Sequence, residues 1–172
     1  TKIRITTCAV DINGIDAANE DVKEYDACFL ARLNYSKGVF ELPEIWMKVV
    51  EKYPNARLAI MGKGSDDFIK ELNNKIIENH VENNIDLLGY VSSTYGWSII
   101  KRAKCFLFTS HEEGWGMAVA EALTAGTPVV AYDLPVFEKL FPQGTVLCEF
   151  KNTDMMAENV CKLLENERYR DN

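Results

Sequence analysis

Short, almost continuously apolar runs alternate along the chain with longer stretches in which apolar residues recur at helical spacing. Continuous apolar character is typical of strands covered on both faces of a parallel sheet. Six runs predict strands: residues 27–31, 57–61, 85–88, 105–108, 128–132 and 145–148. The stretches between and after them predict helices: residues 37–51, 66–80, 93–103, 116–125, 136–140 and 153–166. This alternation predicts a doubly wound α/β domain, a Rossmann-like six-stranded parallel sheet.

The part of the chain before the first strong strand has a different pattern. Residues 11–26 are acidic and show little apolar periodicity, which predicts an extended connection or a peripheral hairpin. We therefore divide the chain into an extended lead-in over residues 1–26 and one domain over residues 27–172. Four aromatic residues at helical spacing are predicted to lie in the core: Phe40, Trp46, Phe68 and Trp97.

Composition and charge exclude several classes of protein. With 172 residues, of which 47% are apolar and 10% aromatic, the chain can form a sizeable core and is not a disordered segment. No apolar run approaches the roughly 20 residues of a membrane-spanning helix. The net charge of -7, without a run of four basic residues, argues against nucleic-acid binding. An anionic ligand would therefore be held by a few directed cations.

Cysteine usage indicates the compartment. The five cysteines are odd in number and widely spaced, without a Cys-x-x-Cys pair: Cys8, Cys28, Cys105, Cys148 and Cys161. This favours buried, reduced thiols in a cytoplasmic protein over disulfides or a metal site.

Ligands of doubly wound sheets bind beyond the carboxyl ends of the strands, so the residues just after each strand are the candidates. Arg32 and Lys37 follow the first strand, and a guanidinium fork with an ammonium suits a diphosphate, although both could be ordinary surface charges. Ser36 is a candidate helix N-cap. After the second strand, Gly62 and Gly64 form an incomplete dinucleotide fingerprint, for which a tight turn is the preferred interpretation.

The most informative stretch follows the strand over residues 105–108. Gly114 and Gly116 allow close approach of a ligand to the backbone, and the helix that begins near Gly116 offers unpaired N–H groups to an anion. Glu113 lies in the loop and Glu121 between one and two turns into that helix. A carboxylate can accept two hydrogen bonds from a vicinal diol. Carboxylates beside an anion site therefore favour a sugar nucleotide as the ligand. His111, in the same loop, could contact the sugar, but a hydrogen-bonding spacer is the preferred interpretation.

Several motifs together resemble glycosyltransferase family 4, whose members are retaining enzymes of the two-domain GT-B architecture. The spacing of Glu113 and Glu121, followed by the run Ala-Leu-Thr-Ala-Gly-Thr-Pro-Val-Val-Ala over residues 122–131, resembles the family signature. Further resemblances cover the donor-phosphate loop, a Gly-x-Gly strand, the loop beside the base and the interdomain hinge: residues 29–38, 57–64, 88–91 and 13–16. The resemblance implies one half of a GT-B enzyme.

The resemblance also implies roles for individual residues. Arg32 and Lys37 would bind the diphosphate and neutralise the leaving nucleotide, and Glu113 would face the transferred sugar, so these three are the expected catalytic groups. Glu121 would hold the ribose hydroxyls and the backbone at Val91 the base. Three further donor contacts are expected from the start of the helix: Gly116, Met117 and Ala118. The family implies no metal and no cofactor, because these cations and the helix end compensate the charge.

The chain departs from the family pattern in places. Ala31 stands for the usual glycine, Trp115 for the common phenylalanine and Ser65 for a frequent proline, and residues 133–136 lack the paired glycines of many members. The resemblance implies an acceptor-binding amino-terminal domain that this sequence does not include, so residues 1–26 are interpreted as the remnant of the interdomain hinge. The carboxyl end, residues 165–170, stops near where the last helix of the family would cross back.

These observations predict the donor-binding domain of a retaining hexosyltransferase that uses a UDP-, GDP- or ADP-sugar. The isolated chain is expected to bind the donor without transferring the sugar, and its partner would be the missing amino-terminal domain. Half of a sugar-nucleotide epimerase and a non-catalytic nucleotide-binding module are the alternatives. The sequence leaves open the base, the sugar and the acceptor. It also leaves open contact with a membrane, on whose cytoplasmic face the whole enzyme could be peripheral.

Overall fold

The computed structural model describes residues 9–141 and 143–165. Within these residues the strands are β1 Ala27–Leu30, β2 Leu58–Met61, β3 Ile85–Gly89, β4 Cys105–Phe108, β5 Val129–Tyr132 and β6 Thr145–Cys148. They form one sheet in the order β3-β2-β1-β4-β5-β6, and every neighbouring pair is parallel. The predicted sheet is confirmed, and both ends of every strand lie within one residue of their predicted positions.

Helices connect the strands and cover both faces of the sheet. Their bounds are α1 Ile12–Ala17, α2 Leu42–Lys52, α3 Asp66–Glu78, α4 Ser93–Arg102, α5 Met117–Thr124, α6 Pro135–Leu140 and α7 Thr153–Glu165. The hydroxyls of Ser65 and Ser92 cap α3 and α4. Each accepts a hydrogen bond from the backbone N–H of the third residue of its helix, at 3.3 and 3.2 Å. The prediction of a doubly wound α/β domain is therefore confirmed.

Alternate strand residues feed two separate apolar cores. Along β4, Phe106 and Phe108 pack beneath α4, α5 and α6, whereas Leu107 packs on the opposite face beneath α2, α3 and α7. Of the predicted core aromatics, Trp46 and Phe68 are buried, while the other two, Phe40 and Trp97, are only partly so. Burial on both faces explains why the strands read as continuous apolar runs.

The lead-in contains a short helix, so the prediction of an extended connection or hairpin over residues 11–26 is wrong at this point. Asp11 accepts the N–H of Gly14 at 2.9 Å, and Ile15 is fully buried. At the carboxyl end of α1, the Lys101 ammonium donates to three backbone carbonyls at 2.9–3.2 Å. These caps satisfy the ends of a helix too short to show apolar periodicity.

The segment after β1 also differs from its prediction. Gly38, with φ +61°, separates two 3₁₀ turns, Tyr35–Lys37 and Val39–Glu41, and α2 begins only at Leu42. Ser36 is therefore not a helix N-cap, and its hydroxyl bonds the side chain of Asn34 at 3.0 Å.

Cys28, Cys148 and Cys161 are buried thiols outside any disulfide, and Cys105 is buried as well. Cys8 and the predicted features over residues 166–170 lie outside the described residues. In the described ranges no helix combines the length and apolar character needed to span a membrane.

Candidate functional site

The sheet order places a topological switch between β1 and β4. From β1 the chain proceeds outward through β2 and β3, then returns to add β4 on the other side of β1. The loops after β1 and β4 therefore leave the same edge in opposite directions, and a crevice opens between them. The two loops touch: Thr109 Oγ1 donates to the carbonyl of Lys37 at 2.9 Å, and the N–H of His111 donates to that of Ser36 at 2.8 Å.

Two glycines make this approach possible. A Cβ on Gly38 would lie 2.0 Å from the carbonyl oxygen of Thr109, and the residue has φ +61°. A Cβ on Gly62, with φ +143°, would lie 1.8 Å from the carbonyl oxygen of Ala31. Only glycine fits at either position. The structure thus supports the backbone interpretation of the glycine after β2.

Lys37 and Glu113, which are 76 positions apart, form an ion pair in the crevice. The distance from Nζ to Oε2 is 2.8 Å, and about a fifth of each side chain is exposed (23% and 19%). Glu113 also accepts backbone N–H groups from Gly114, at 3.1 Å, and from Trp115. Burial opposes ionisation, but these bonds outweigh it and hold the pKa of Glu113 below its ordinary value. The carboxylate is therefore charged and neutralises Lys37.

An open depression of about 420 Å³ lies over this ion pair, within the size range of small-molecule sites. Its lining residues come from the two loops: Ser36, Lys37, Glu112, Glu113 and Gly114. Arg32, two residues beyond β1 on the same sheet edge, is exposed. Its guanidinium forms no ion pair with an acidic side chain of the described chain, so its donor fork is open to a ligand.

The amino end of α5 faces the crevice. Gly116 precedes the helix with φ +93°, and the first backbone bond of the helix runs from the N–H of Ala120 to the carbonyl of Gly116, at 3.0 Å. The N–H groups of Met117 and Ala118 therefore have no partner within the helix. This agrees with the predicted start of the helix near Gly116, and such a turn attracts negative charge.

Glu121 lies in the second turn of α5 and is half-buried. Burial raises the pKa of its carboxyl group, and a hydrogen bond from Trp97 on α4 counteracts part of that effect. Trp97 also packs against the lead-in, since a Cβ on Gly14 would lie 2.7 Å from Cζ3 of the indole ring. The sequence predicted Trp97 only as a core residue, and no pattern indicated its polar contact.

Val91 marks the far end of the candidate site. It lies two residues beyond β3 and is half-buried. Because β3 is two strand spacings from β1 and three from β4, Val91 is about 10–14 Å from the crevice along one edge of the sheet. The structure thus joins Lys37 and Glu113 directly, places Arg32 and the start of α5 at the same edge, and leaves Val91 at a distance.

The sequence did not reveal a series of three hydrogen-bonded side chains near the crevice. His111 Nε2 lies 2.6 Å from Glu41 Oε1, and the buried Tyr132 donates its hydroxyl to Glu41 Oε2. These contacts span 70 and 91 positions, so no local motif could reveal them. Across residues 9–141 and 143–165 no group of three or more His, Cys, Asp or Glu side chains is arranged to hold a metal ion.

Two related proteins illustrate what the chain is similar to in sequence. It is 33% identical over 152 residues to the poly(glycerol-phosphate) alpha-glucosyltransferase of Bacillus subtilis (strain 168), covering 87% of this chain and 22% of that enzyme. It is 28% identical over 177 residues to the phosphatidyl-myo-inositol mannosyltransferase of Mycolicibacterium smegmatis, covering 94% of this chain and 44% of that enzyme. The chain spans less than half the length of the curated relatives it matches.

Solved structures share the fold. The carboxy-terminal domain of a group 1 glycosyl transferase (LpcC) from Francisella tularensis has a TM-score of 0.80 at 20% identity, covering 95% of this chain and 91% of that one. A variant of S. aureus TarM in complex with fondaparinux, alpha-GlcNAc-glycerol and UDP has a TM-score of 0.73 at 25% identity, covering 90% and 32%. The profile of the family described as glycosyl transferases group 1 matches residues 13–172. With nearly its whole length matched and a sheet of the same architecture, the chain belongs to the glycosyl transferases group 1 family and has the fold of a GT-B carboxy-terminal domain.

Proposed function

We propose that this chain is the donor-binding half of a retaining family 4 glycosyltransferase that transfers a hexose from a nucleotide-diphosphate sugar to an acceptor hydroxyl. The observation that carries the proposal is the contact of Lys37 with Glu113 at the switch between β1 and β4, beside the open first turn of α5. The relatives named above are transferases, and the TarM complex contains UDP. Both facts favour transfer from a nucleotide donor over an epimerase or a non-catalytic module.

In this proposal the donor lies extended along the sheet edge. The base would contact the backbone at Val91, the ribose hydroxyls would bond Glu121, and the diphosphate would lie between Arg32 and Lys37. The sugar would then face Glu113 and the first turn of α5. The separation of about 14 Å between the ends of β3 and β4 supports an elongated ligand rather than a compact one.

The chemistry follows from the charges. The bond from the anomeric carbon to the diphosphate oxygen breaks, and its electron pair leaves with the nucleotide. The acceptor oxygen bonds the same carbon on the same face, and its proton is taken up by the departing diphosphate. Arg32, Lys37 and the N–H groups of Met117 and Ala118 would stabilise the charge that develops on the leaving group. A phosphate that binds Lys37 would compete with Glu113, which would free that carboxylate for hydroxyls of the sugar.

The whole enzyme is also part of the proposal. An amino-terminal domain would bind the acceptor, residues 1–26 would form the hinge, and the chain alone would bind donor without transferring it. A cytoplasmic location is supported by the buried thiols of Cys28, Cys148 and Cys161, which form no disulfide. No metal or cofactor is invoked, because the two cations and the α5 turn supply the positive charge.

Calorimetric titration of the chain with UDP, GDP and ADP, free and sugar-linked, tests the proposal. One nucleotide should bind, and Arg32→Ala or Lys37→Ala should weaken it about 10- to 100-fold, as expected for a lost charge-assisted bond. Lys70→Ala on the exposed surface of α3 changes the net charge equally and is the matched control. Failure of all three nucleotides to bind, or an equal loss in Lys70→Ala, would contradict the proposal.

The role of Glu113 can be separated from that of the cations. Glu113→Gln should leave the affinity for the free nucleotide diphosphate undiminished, because the competing carboxylate charge is removed. The same variant should lose the added affinity that the attached sugar provides. Equal losses for the free and the sugar-linked nucleotide would contradict the assignment of Glu113 to the sugar.

A further inference from the structure

Besides the ion pair of Lys37 and Glu113, three polar contacts join the loop after β1, which carries Lys37, to the loop after β4, which carries Glu113. Two are the bonds to the carbonyls of Lys37 and Ser36, at 2.9 and 2.8 Å. The third connects side chains: His111 Nε2 lies 2.6 Å from Glu41 Oε1. The two loops are therefore joined both through their backbones and through a pair of side chains.

Glu41 is held from a second direction. Its other carboxylate oxygen accepts the hydroxyl of Tyr132, a fully buried residue at the end of β5. Burial, then the bond to Glu41, raises the pKa of Tyr132 far above its ordinary value, so the hydroxyl stays protonated and donates. The ring of Phe150 packs edge-on against both His111 and Tyr132, with centroids 5.5 and 5.8 Å apart. The carboxylate is thus held between the end of β5 and the loop of His111.

The contacts of Glu41 can hold the two loops together even when a ligand disrupts the ion pair of Lys37 and Glu113. Lys37 and Glu113 line the open depression, and a bound anion would compete for their contact. Glu41, His111 and Tyr132 do not line it, so their contacts would persist. A second, open cavity of about 600 Å³ borders Glu41 and His111, so one side of each group is open. The hydrogen bonds of Glu41 therefore add a side-chain connection to the two backbone bonds between the loops.

We infer that Glu41 and His111 are positioning residues of the candidate donor site, which hold the loop of Lys37 at a fixed distance from the loop of Glu113. The inference rests on the proposed function, since it assumes that these two loops bind the diphosphate. Neither residue touches the ligand in this arrangement. Their loss should therefore let the loops separate and weaken the binding of the diphosphate in a protein that is still folded.

The test is UDP titration of the chain, with GDP or ADP in its place if one of those binds instead. Glu41→Ala and Tyr132→Phe should each lower the affinity about 2- to 30-fold, the range for residues that act through a neighbour. His111→Ala should do the same, and His111→Gln, which retains a donor toward Glu41, should restore part of the loss. Titrations are made well below the unfolding temperature of each variant.

The chain offers a matched control for Tyr132. Tyr25 is also buried and donates its hydroxyl to a carboxylate, Asp86, at 2.8 Å, but this pair lies at the opposite edge of the sheet, where β1 and β3 begin. Tyr25→Phe should lower the unfolding temperature without changing UDP affinity. Equal affinities in wild type, Glu41→Ala and Tyr132→Phe, or an equal loss in Tyr25→Phe, would overturn the inference.

Hydrogen exchange separates this inference from the proposed function. The N–H of His111, bonded to the carbonyl of Ser36, should exchange faster in Glu41→Ala and Tyr132→Phe than in wild type or Tyr25→Phe. If the wild-type chain binds none of the three nucleotides, the proposed function fails. In that event faster exchange would still support the positioning of the loops, and unchanged exchange would overturn it.

Discussion

Gly38→Ala tests the close approach of the two loops on which the site depends. The new Cβ would lie 2.0 Å from the carbonyl oxygen of Thr109, where real Cβ contacts are not found below 3.0 Å, so the loops must part by about an ångström. That displacement would break the bond from Thr109 Oγ1 to the carbonyl of Lys37. The residue would also keep a left-handed backbone at φ +61°.

The expected cost follows from these two effects. A left-handed conformation costs a non-glycine residue about 1–2 kcal/mol. The broken backbone contact and the steric displacement add about as much again, so the free energy of unfolding should fall by about 2–4 kcal/mol. For a domain of this size, each kcal/mol lowers the unfolding temperature by about 2–4 °C. The unfolding temperature should therefore fall by about 5–15 °C.

Gly126→Ala is the matched control. Gly126 has φ +80°, but nothing lies within 4 Å of its Cβ position, so this variant has the backbone strain without the clash. It should lose about 1–2 kcal/mol, and the difference between the two variants measures the steric effect. Urea and thermal unfolding by circular dichroism give both values. If Gly38→Ala is no less stable than Gly126→Ala, the two loops are not in contact and do not form the site together.

Three further predictions concern titration and reactivity. Glu121→Gln should stabilise the ligand-free chain at neutral pH and lower its affinity for UDP. Burial raises the pKa of the native carboxyl group, so wild-type stability is lost as the pH rises through that raised pKa. Urea unfolding measured at several pH values checks the sign. Burial opposes ionisation of Asp86, but hydrogen bonds from its neighbours hold its pKa below the ordinary value. The stability that Asp86 contributes is therefore lost as the pH falls through the native pKa. Asp86→Asn should be less stable at neutral pH, and its unfolding temperature should fall less steeply as the pH is lowered. Cys28 is fully buried and its thiol pKa is raised well above the ordinary value, so iodoacetamide should label it only in urea, as read by peptide mass spectrometry.

The sheet could be predicted from the sequence because each strand carries its own evidence. Residues buried on both faces must be apolar throughout, and Gly, Pro and charged residues mark the ends. The doubly wound class then located the candidate site at the carboxyl ends of the strands before any residue was assigned to it. Lys37 and Glu113 could be singled out for this reason, although their contact at 2.8 Å could not.

The features that escaped prediction depend on tertiary contacts. Helix α1 is held by Asp11 and by Lys101, which is far away in sequence, so its six residues carry no helical pattern of their own. The interruption at Gly38 reflects the approach of Thr109 from another strand. Glu41 and Tyr132 are ordinary residues of a turn and a strand until the fold brings them to His111.

In the proposed function, an acidic chain would bind a diphosphate selectively through the arrangement of its cations. Lys37 is already neutralised by Glu113, so a single phosphate that binds there must displace a carboxylate that retains two backbone bonds. In the proposed site a diphosphate would reach Arg32 and the first turn of α5 as well, and its additional bonds would offset that displacement. The surrounding charge of -7 disfavours anions that engage one cation alone. Inorganic phosphate should therefore compete poorly with the nucleotide diphosphate. Glu113→Gln should reduce the ratio of the affinity for the nucleotide diphosphate to the affinity for inorganic phosphate.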